Sequence, residues 1–181
     1  MLLLVNGAPG VGKSALADRY ARDHALALVI DIDELRARLG QWEDVEASKV
    51  IARDLAVALV RDHLARGHDV IVPQLVGRRE FVDRLRAVAA DAGTRFVEVV
   101  LTDDDDAVIE RFRTRRDRLV ARGERHPEAD LRDRDVADAI RRANAQLCAD
   151  AAARGVAVIR TGGLEASYHA LCDALEPDAC P

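Results

Sequence analysis

The segment Gly7-Ala8-Pro9-Gly10-Val11-Gly12-Lys13-Ser14 constrains this chain more than any other. It fits the spacing G-x-x-x-x-G-K-[ST]. A continuous apolar run, Leu2–Asn6, precedes it, and a helical stretch, Ser14–His24, follows. A buried strand, a glycine loop and a helix in that order make an anion cradle. Glycines let the chain curl so that several N–H groups converge on one point. The helix start adds unpaired N–H groups and the positive end of its dipole. Lys13 brings a compact charge to the β- and γ-phosphates of a nucleoside triphosphate, and the Ser14 hydroxyl suits Mg²⁺. Gly7, Ala8, Gly10, Val11, Gly12, Lys13, Ser14 and Ala15 are therefore the candidate contacts for ATP. The lysine stands out on composition too. Of 27 basic residues only Lys13 and Lys49 are lysines.

Beyond the loop, apolar runs alternate with helical periodicity. Strands are expected at Leu2–Asn6, Leu26–Asp31, Val70–Pro73, Arg95–Leu101 and Val156–Arg160. Helices are expected at Ser14–His24, from Ile32, at Val45–Arg66, Arg78–Ala92, Asp104–Val120, Asp130–Ala153 and Leu164–Leu175. Such alternation implies an α/β fold with a parallel sheet wrapped on both faces. The 181 residues suit one domain over residues 1–175, with a loose tail at 176–181. No apolar stretch reaches the ~18 residues of a spanning helix, so no membrane association and a cytoplasmic location are expected. The net charge of −5 argues against tracking along a nucleic acid. Cys148, Cys172 and Cys180 lack metal-ligand spacing and are expected as reduced thiols.

The loop fixes nucleotide binding but not what is done with it. An N-K-x-D guanine motif is absent, which argues against a GTPase. An AAA-type motor needs a strongly acidic strand end and usually a longer chain. The discriminating residues therefore lie at a second site. Asp31-Ile32-Asp33-Glu34-Leu35-Arg36 follows the second strand. Two acids one residue apart can divide labour. Asp31 can hold a metal-bound water, while Asp33 accepts the proton of an attacking hydroxyl. Arg36 comes one helical turn after Asp33 and can orient it or bind an anionic acceptor. The plainer alternative is helix capping, with Asp33 as N-cap. Gln74 and Arg78, after the third strand, are further candidates for acceptor contact.

Between Arg111 and Arg125 seven arginines stand against Asp117 and Glu124. Arg111 and Arg115 share a helix face. Phosphoryl transfer spreads negative charge over the transferred oxygens, which suits arginines. Arg115 is the candidate γ-phosphate contact, with Arg111 or Arg118 next. The four acids Asp103–Asp106 are expected to cap a helix rather than to hold a metal. Thr161-Gly162-Gly163 follows the fifth strand, and its two glycines allow close backbone approach, while Trp42 is expected either in the core or stacked on an acceptor.

The GAPGVGKS loop, the D-x-D-x-x-R turn and the arginine pair resemble the small P-loop kinases. That group includes zeta-toxin-like kinases, chloramphenicol phosphotransferase-like enzymes, shikimate and gluconate kinases, and polynucleotide 5′-hydroxyl kinases. The resemblance implies a three-layer P-loop NTPase fold with a five-stranded parallel sheet, order 2-3-1-4-5, and a helical lid at about 116–130. It implies an acid matching Asp33 as base or acceptor ligand, one matching Asp31 near Mg²⁺, and a nucleotide base cradled at Gly162. Many relatives end the third strand with a metal-holding acid, whereas this chain has Gln74. Four readings stand at this point. They are a kinase for a small hydroxyl acceptor such as an antibiotic, nucleoside or sugar; a polynucleotide kinase meeting nucleic acid through a 5′ end only; a non-catalytic nucleotide-binding module; and a zeta-type toxin. Lys13→Ala is expected to abolish turnover and weaken triphosphate binding in a titration. Full activity in that variant would refute the phosphate-loop assignment.

Overall fold

Leu2, Leu3, Leu4 and Val5 are all completely buried, so the first strand lies in the middle of the sheet with side chains covered on both faces. In a computed structural model, which describes residues 1–43, 45–77, 79–124, 126 and 133–175, that strand is β1 (Leu2–Gly7). The others are β2 (Leu28–Val29), β3 (Val70–Pro73), β4 (Phe96–Thr102) and β5 (Ala157–Arg160). The order is β2-β3-β1-β4-β5 and every pairing is parallel, as the P-loop resemblance implies. Helices α1 (Lys13–Asp23), α2 (Ile32–Ala37), α3 (Ala47–Ala65), α4 (Arg79–Asp91), α5 (Asp105–Ala121), α6 (Asp133–Arg154) and α7 (Leu164–Leu175) cover both faces.

Strand alternation sorts the core. Leu3, Val5, Val99 and Leu101 pack against Leu16 and Tyr20 of α1, Phe112 of α5 and Leu171 of α7. Leu2, Leu4, Val70 and Val72 face the other way, onto Ala52 and Val60 of α3 and Phe81 and Leu85 of α4. Helix α6 packs on β4, with Leu147 and Ala151 on Val100.

Two expectations change. The second strand shrinks to two residues, because Leu26 takes a left-handed φ of 61° and Asp31 already caps a helix. That strand is at the sheet edge, and β3 stands between it and β1, so the acid turn is one strand further from the phosphate loop than a neighbouring strand end would be. Cys148 is a free thiol, but Cys172 is disulfide-bonded. In the segment expected as a lid, residues up to Ala121 continue α5 and Gly123 ends it at φ 62°. Arg125 and residues 127–132 lie outside the described residues, as does the 176–181 tail. Among the described residues no helix is long and apolar enough to cross a membrane.

One polar group in the sheet was not anticipated. Glu98 of β4 has a side chain only 2% exposed, held by Arg154 of α6 through Nη1 at 2.6 Å and Nη2 at 3.0 Å. This fork raises the Arg154 pKa above its ordinary value. Removing the arginine strands a buried carboxylate, which is costlier than losing the pair together. Arg154→Ala is expected to lower unfolding free energy by about 3 kcal/mol, and Arg154→Ala with Glu98→Leu by clearly less, in urea titrations. A double variant less stable than the single one would contradict this account.

Candidate active site

The phosphate loop is built on two left-handed glycines. Gly10 has φ 87° and Gly12 has φ 106°, a region that a Cβ disfavours. Gly12 is the N-cap of α1 and offers no side-chain cap, so the first N–H groups of the helix are left for a ligand. Lys13 Nζ donates to the Ala8 carbonyl at 3.0 Å, folding the cation back across the loop. A phosphate oxygen is a stronger acceptor than that carbonyl because it carries charge. Ser14, next along α1, is half-buried.

Asn6 ties the loop to its surroundings. Its Oδ1 accepts from Gly7 N–H and from Val76 N–H, both at 2.9 Å. Its Nδ2 donates to the Val76 carbonyl at 3.0 Å and to Glu98 Oε1 at 3.3 Å. One side chain thus joins the start of the phosphate loop to the segment after β3. Sequence reasoning missed Asn6 and Glu98. Each had a signal, a lone polar residue in an otherwise apolar strand.

On the α5 side the loop meets Arg111. Its Nε donates to the Gly10 carbonyl at 3.1 Å and its Nη2 to Asp103 at 2.6 Å. Burial works against the Asp103 carboxylate, but hydrogen bonds from the Thr161 hydroxyl and Arg111 outweigh it and hold it below the usual carboxylate range. Between them lies a cavity of about 180 Å³ lined by Gly12, Ala15, Asp103, Arg111, Thr161 and Gly163, among others. The structure therefore brings Arg111 and Ala15 to one place beside the loop. Of the turn after β5, Thr161 and Gly163 line this cavity, and Gly162 is not among its lining residues. Arg115, one turn further along α5, is half-buried. Arg116 pairs with Asp117 at 2.7 Å, and Arg118 is exposed.

The acid run resolves into four tasks. Asp104 caps α5, accepting from Asp106 and Ala107 N–H at 3.1 Å. Asp105 accepts from Asn144, Asp106 pairs with Arg141, and Asp103 holds Arg111. Among the described residues no group of three or more His, Cys, Asp or Glu side chains could hold a metal.

At the acid turn the cap is Asp31, not Asp33. Its Oδ1 accepts from Asp33 N–H at 2.9 Å and Glu34 N–H at 3.3 Å. Asp33 lies in the first turn of α2, half-buried. Arg36 turns to structural work. Its Nε donates to Ser48 Oγ at 2.9 Å, and its guanidinium lies 4.7 Å from the Trp42 ring centre. Trp42 is buried in the core at 3% exposure, so it is not displayed for an acceptor to stack on. After β3, Gln74 has its Oε1 buried with no hydrogen-bond partner. Arg78 lies outside the described residues.

The model of a family described as an AAA domain matches residues 2–133. The chain belongs to that family. Similar solved structures span nearly the whole chain. A candidate kinase from Chloroflexus aurantiacus is 15% identical, with 97% of this chain and 98% of that one covered and a TM-score of 0.68. The tunicamycin resistance protein of Deinococcus radiodurans is 14% identical over 99% and 96%, with a TM-score of 0.57. The APS kinase CysC of Mycobacterium tuberculosis, solved with AMPPNP and APS, is 20% identical over 97% and 96%, with a TM-score of 0.54. These likenesses establish the three-layer P-loop fold.

The loop glycines are separable by experiment. A Cβ on Gly10 would sit 2.6 Å from the Val108 carbonyl and 3.1 Å from Phe112, whereas one on Gly12 would meet nothing within 4 Å. Gly12→Ala is expected to cost about 1–2 kcal/mol through its backbone alone, and Gly10→Ala clearly more, in urea unfolding. The reverse order would contradict this packing.

Proposed function

We propose that this chain is an ATP-dependent phosphotransferase that moves the γ-phosphoryl group to a hydroxyl of a small molecule. The observation that carries this reading is the division of tasks at the acid turn. Asp31 caps α2, so the Asp33 carboxylate is not required for capping and suits a role as base. Both acids stand at the carboxyl edge of the sheet, where open α/β sheets bind ligands. The phosphate loop opens on the same edge, and a cavity suited to the nucleotide base lies on its α5 side. Two of the structural neighbours are described as kinases, one with a bound ATP analogue, which supports the reaction class but not the acceptor.

The roles follow from the chemistry. Lys13 and the N–H groups of α1 hold the β- and γ-phosphates. Asp33 accepts the proton from the acceptor hydroxyl as its oxygen attacks the γ-phosphorus, while the bond from the γ-phosphorus to the β-phosphate oxygen breaks and ADP leaves. Arg115 meets the charge developing on the transferred group. Arg111, fixed between Gly10 and Asp103, presents a planar cation to the base. The available donors are oxygens, the Ser14 hydroxyl and the Asp31 Oδ2, and hard oxygen ligands suit Mg²⁺. When bound there, the ion would offset charge on the β- and γ-phosphates.

Asp33→Asn is expected to retain binding of an ATP analogue but lower kcat by ~10²–10⁴. Turnover would be followed as an acceptor's mass gain of one phosphate, across a panel of antibiotics, nucleosides, sugars and oligonucleotides. Unchanged kcat with the acceptor so found would remove Asp33 from the chemistry.

A further inference from the structure

A second cavity, of about 320 Å³, lies on the α3/α4 side of the phosphate loop. That volume is at the low end for small-molecule sites, about 300–1,000 Å³. Its position follows from the strand ends. Gln74, Leu75 and Val76 wall it directly after β3. Val76 is hydrogen-bonded to Asn6 at the start of the phosphate loop. Ala143 lines it from α6, next to Asn144, whose side chain meets Thr102 at the end of β4. The cavity therefore sits beneath the carboxyl ends of β3, β1 and β4, opposite the cavity assigned to the nucleotide base.

Its chemistry is mixed in a specific way. Leu75, Val76, Phe81, Ala143 and Leu147 make most of the wall. Two opposite charges also line it, Arg53 and Asp150. Arg53 lies over the Phe81 ring at 5.8 Å and has no acid partner among the described residues. Gln146 donates to Asp150 at 3.0 Å. An anion would gain from Arg53 and lose to Asp150, and a cation the reverse, so neither net charge is favoured. Inside this wall Gln74 Oε1 is buried without a partner. An unmet buried acceptor costs about 1–3 kcal/mol, which a ligand donor can recover.

We infer that this cavity holds the body of the acceptor, and that the acceptor class is an uncharged alcohol with an apolar body and an N–H or O–H donor that reaches Gln74. The inference rests on the phosphotransferase reading for its role and on the cavity alone for its chemistry. Sequence reasoning named Gln74 as an acceptor contact but had no access to the α6 wall, which lies some seventy residues further along the chain.

Matched probes test it. Tyrosol and 2-phenylethanol differ by one phenolic O–H, and gluconate is an anionic polyol. Binding is read by NMR on the full-length protein without nucleotide. Tyrosol is expected to shift the Gln74 side-chain amide saturably, to bind about tenfold tighter than 2-phenylethanol, and to outcompete gluconate. Gln74→Leu should abolish the preference between the two aromatic alcohols. Ala143→Phe, at a half-buried helix position, should abolish binding of both while leaving affinity for an ATP analogue unchanged. No tyrosol binding, binding indifferent to Ala143→Phe, or tighter binding of gluconate would overturn the pocket assignment. Adding ATP and measuring mass separates the two claims. Gain of one phosphate by bound tyrosol supports both. Tyrosol seated in the cavity but never phosphorylated overturns its acceptor role and spares the pocket chemistry.

Discussion

The carboxyl edge of the sheet depends on one buried amide. Asn6 carries four hydrogen bonds, to Gly7, twice to Val76, and to Glu98. An asparagine can do this because its side chain has both donors and acceptors, arranged as a backbone peptide is. Being buried, these bonds are costly to leave unmade, so the two loops they join are fixed relative to each other. Behind Asn6 stands Glu98, and behind Glu98 the Arg154 fork. A polar line thus runs from α6 through the sheet to the phosphate loop. The apolar core sets the layers, and this line sets the register of the ligand-binding edge.

That arrangement explains how one small domain can present two cavities. The phosphate loop lies between them. Arg111 and Asp103 shape the α5 side and hold the loop through Gly10. The segment after β3 shapes the other side and holds the loop through Asn6. Gly10 shows why the packing leaves no alternative at the α5 contact, since any side chain there would collide with the Val108 carbonyl. Short strands and short turns suit this design, because loop ends close to the sheet lose little conformational freedom on ordering.

Much of the site was legible in the residues. The phosphate loop, the five strands and the cap at the start of α5 follow from local pattern, because a glycine loop, an apolar run or an Asp before a helix acts through its immediate neighbours. Arg111 was legible too, as part of a basic helix face. The acid turn was legible only in part. Which of Asp31 and Asp33 caps α2 depends on the backbone angle at Asp31, ψ 114°, and spacing alone does not set that. Arg36 has a helical position facing Asp33 by periodicity, yet its guanidinium turns to Ser48 and Trp42, residues of a loop and helix brought in by packing.

The residues by themselves determined that a glycine loop joins a buried strand to a helix, and that a parallel sheet surrounds it. Those features are local or periodic, so nearby residues suffice to encode them. Tertiary structure alone decided what surrounds that loop from a distance: Asp103 with Thr161, Asn6 with Val76 and Glu98, and the α6 wall beside Gln74. Each joins segments tens of residues apart, and a chain has no local preference that records which of its distant polar groups will be buried together.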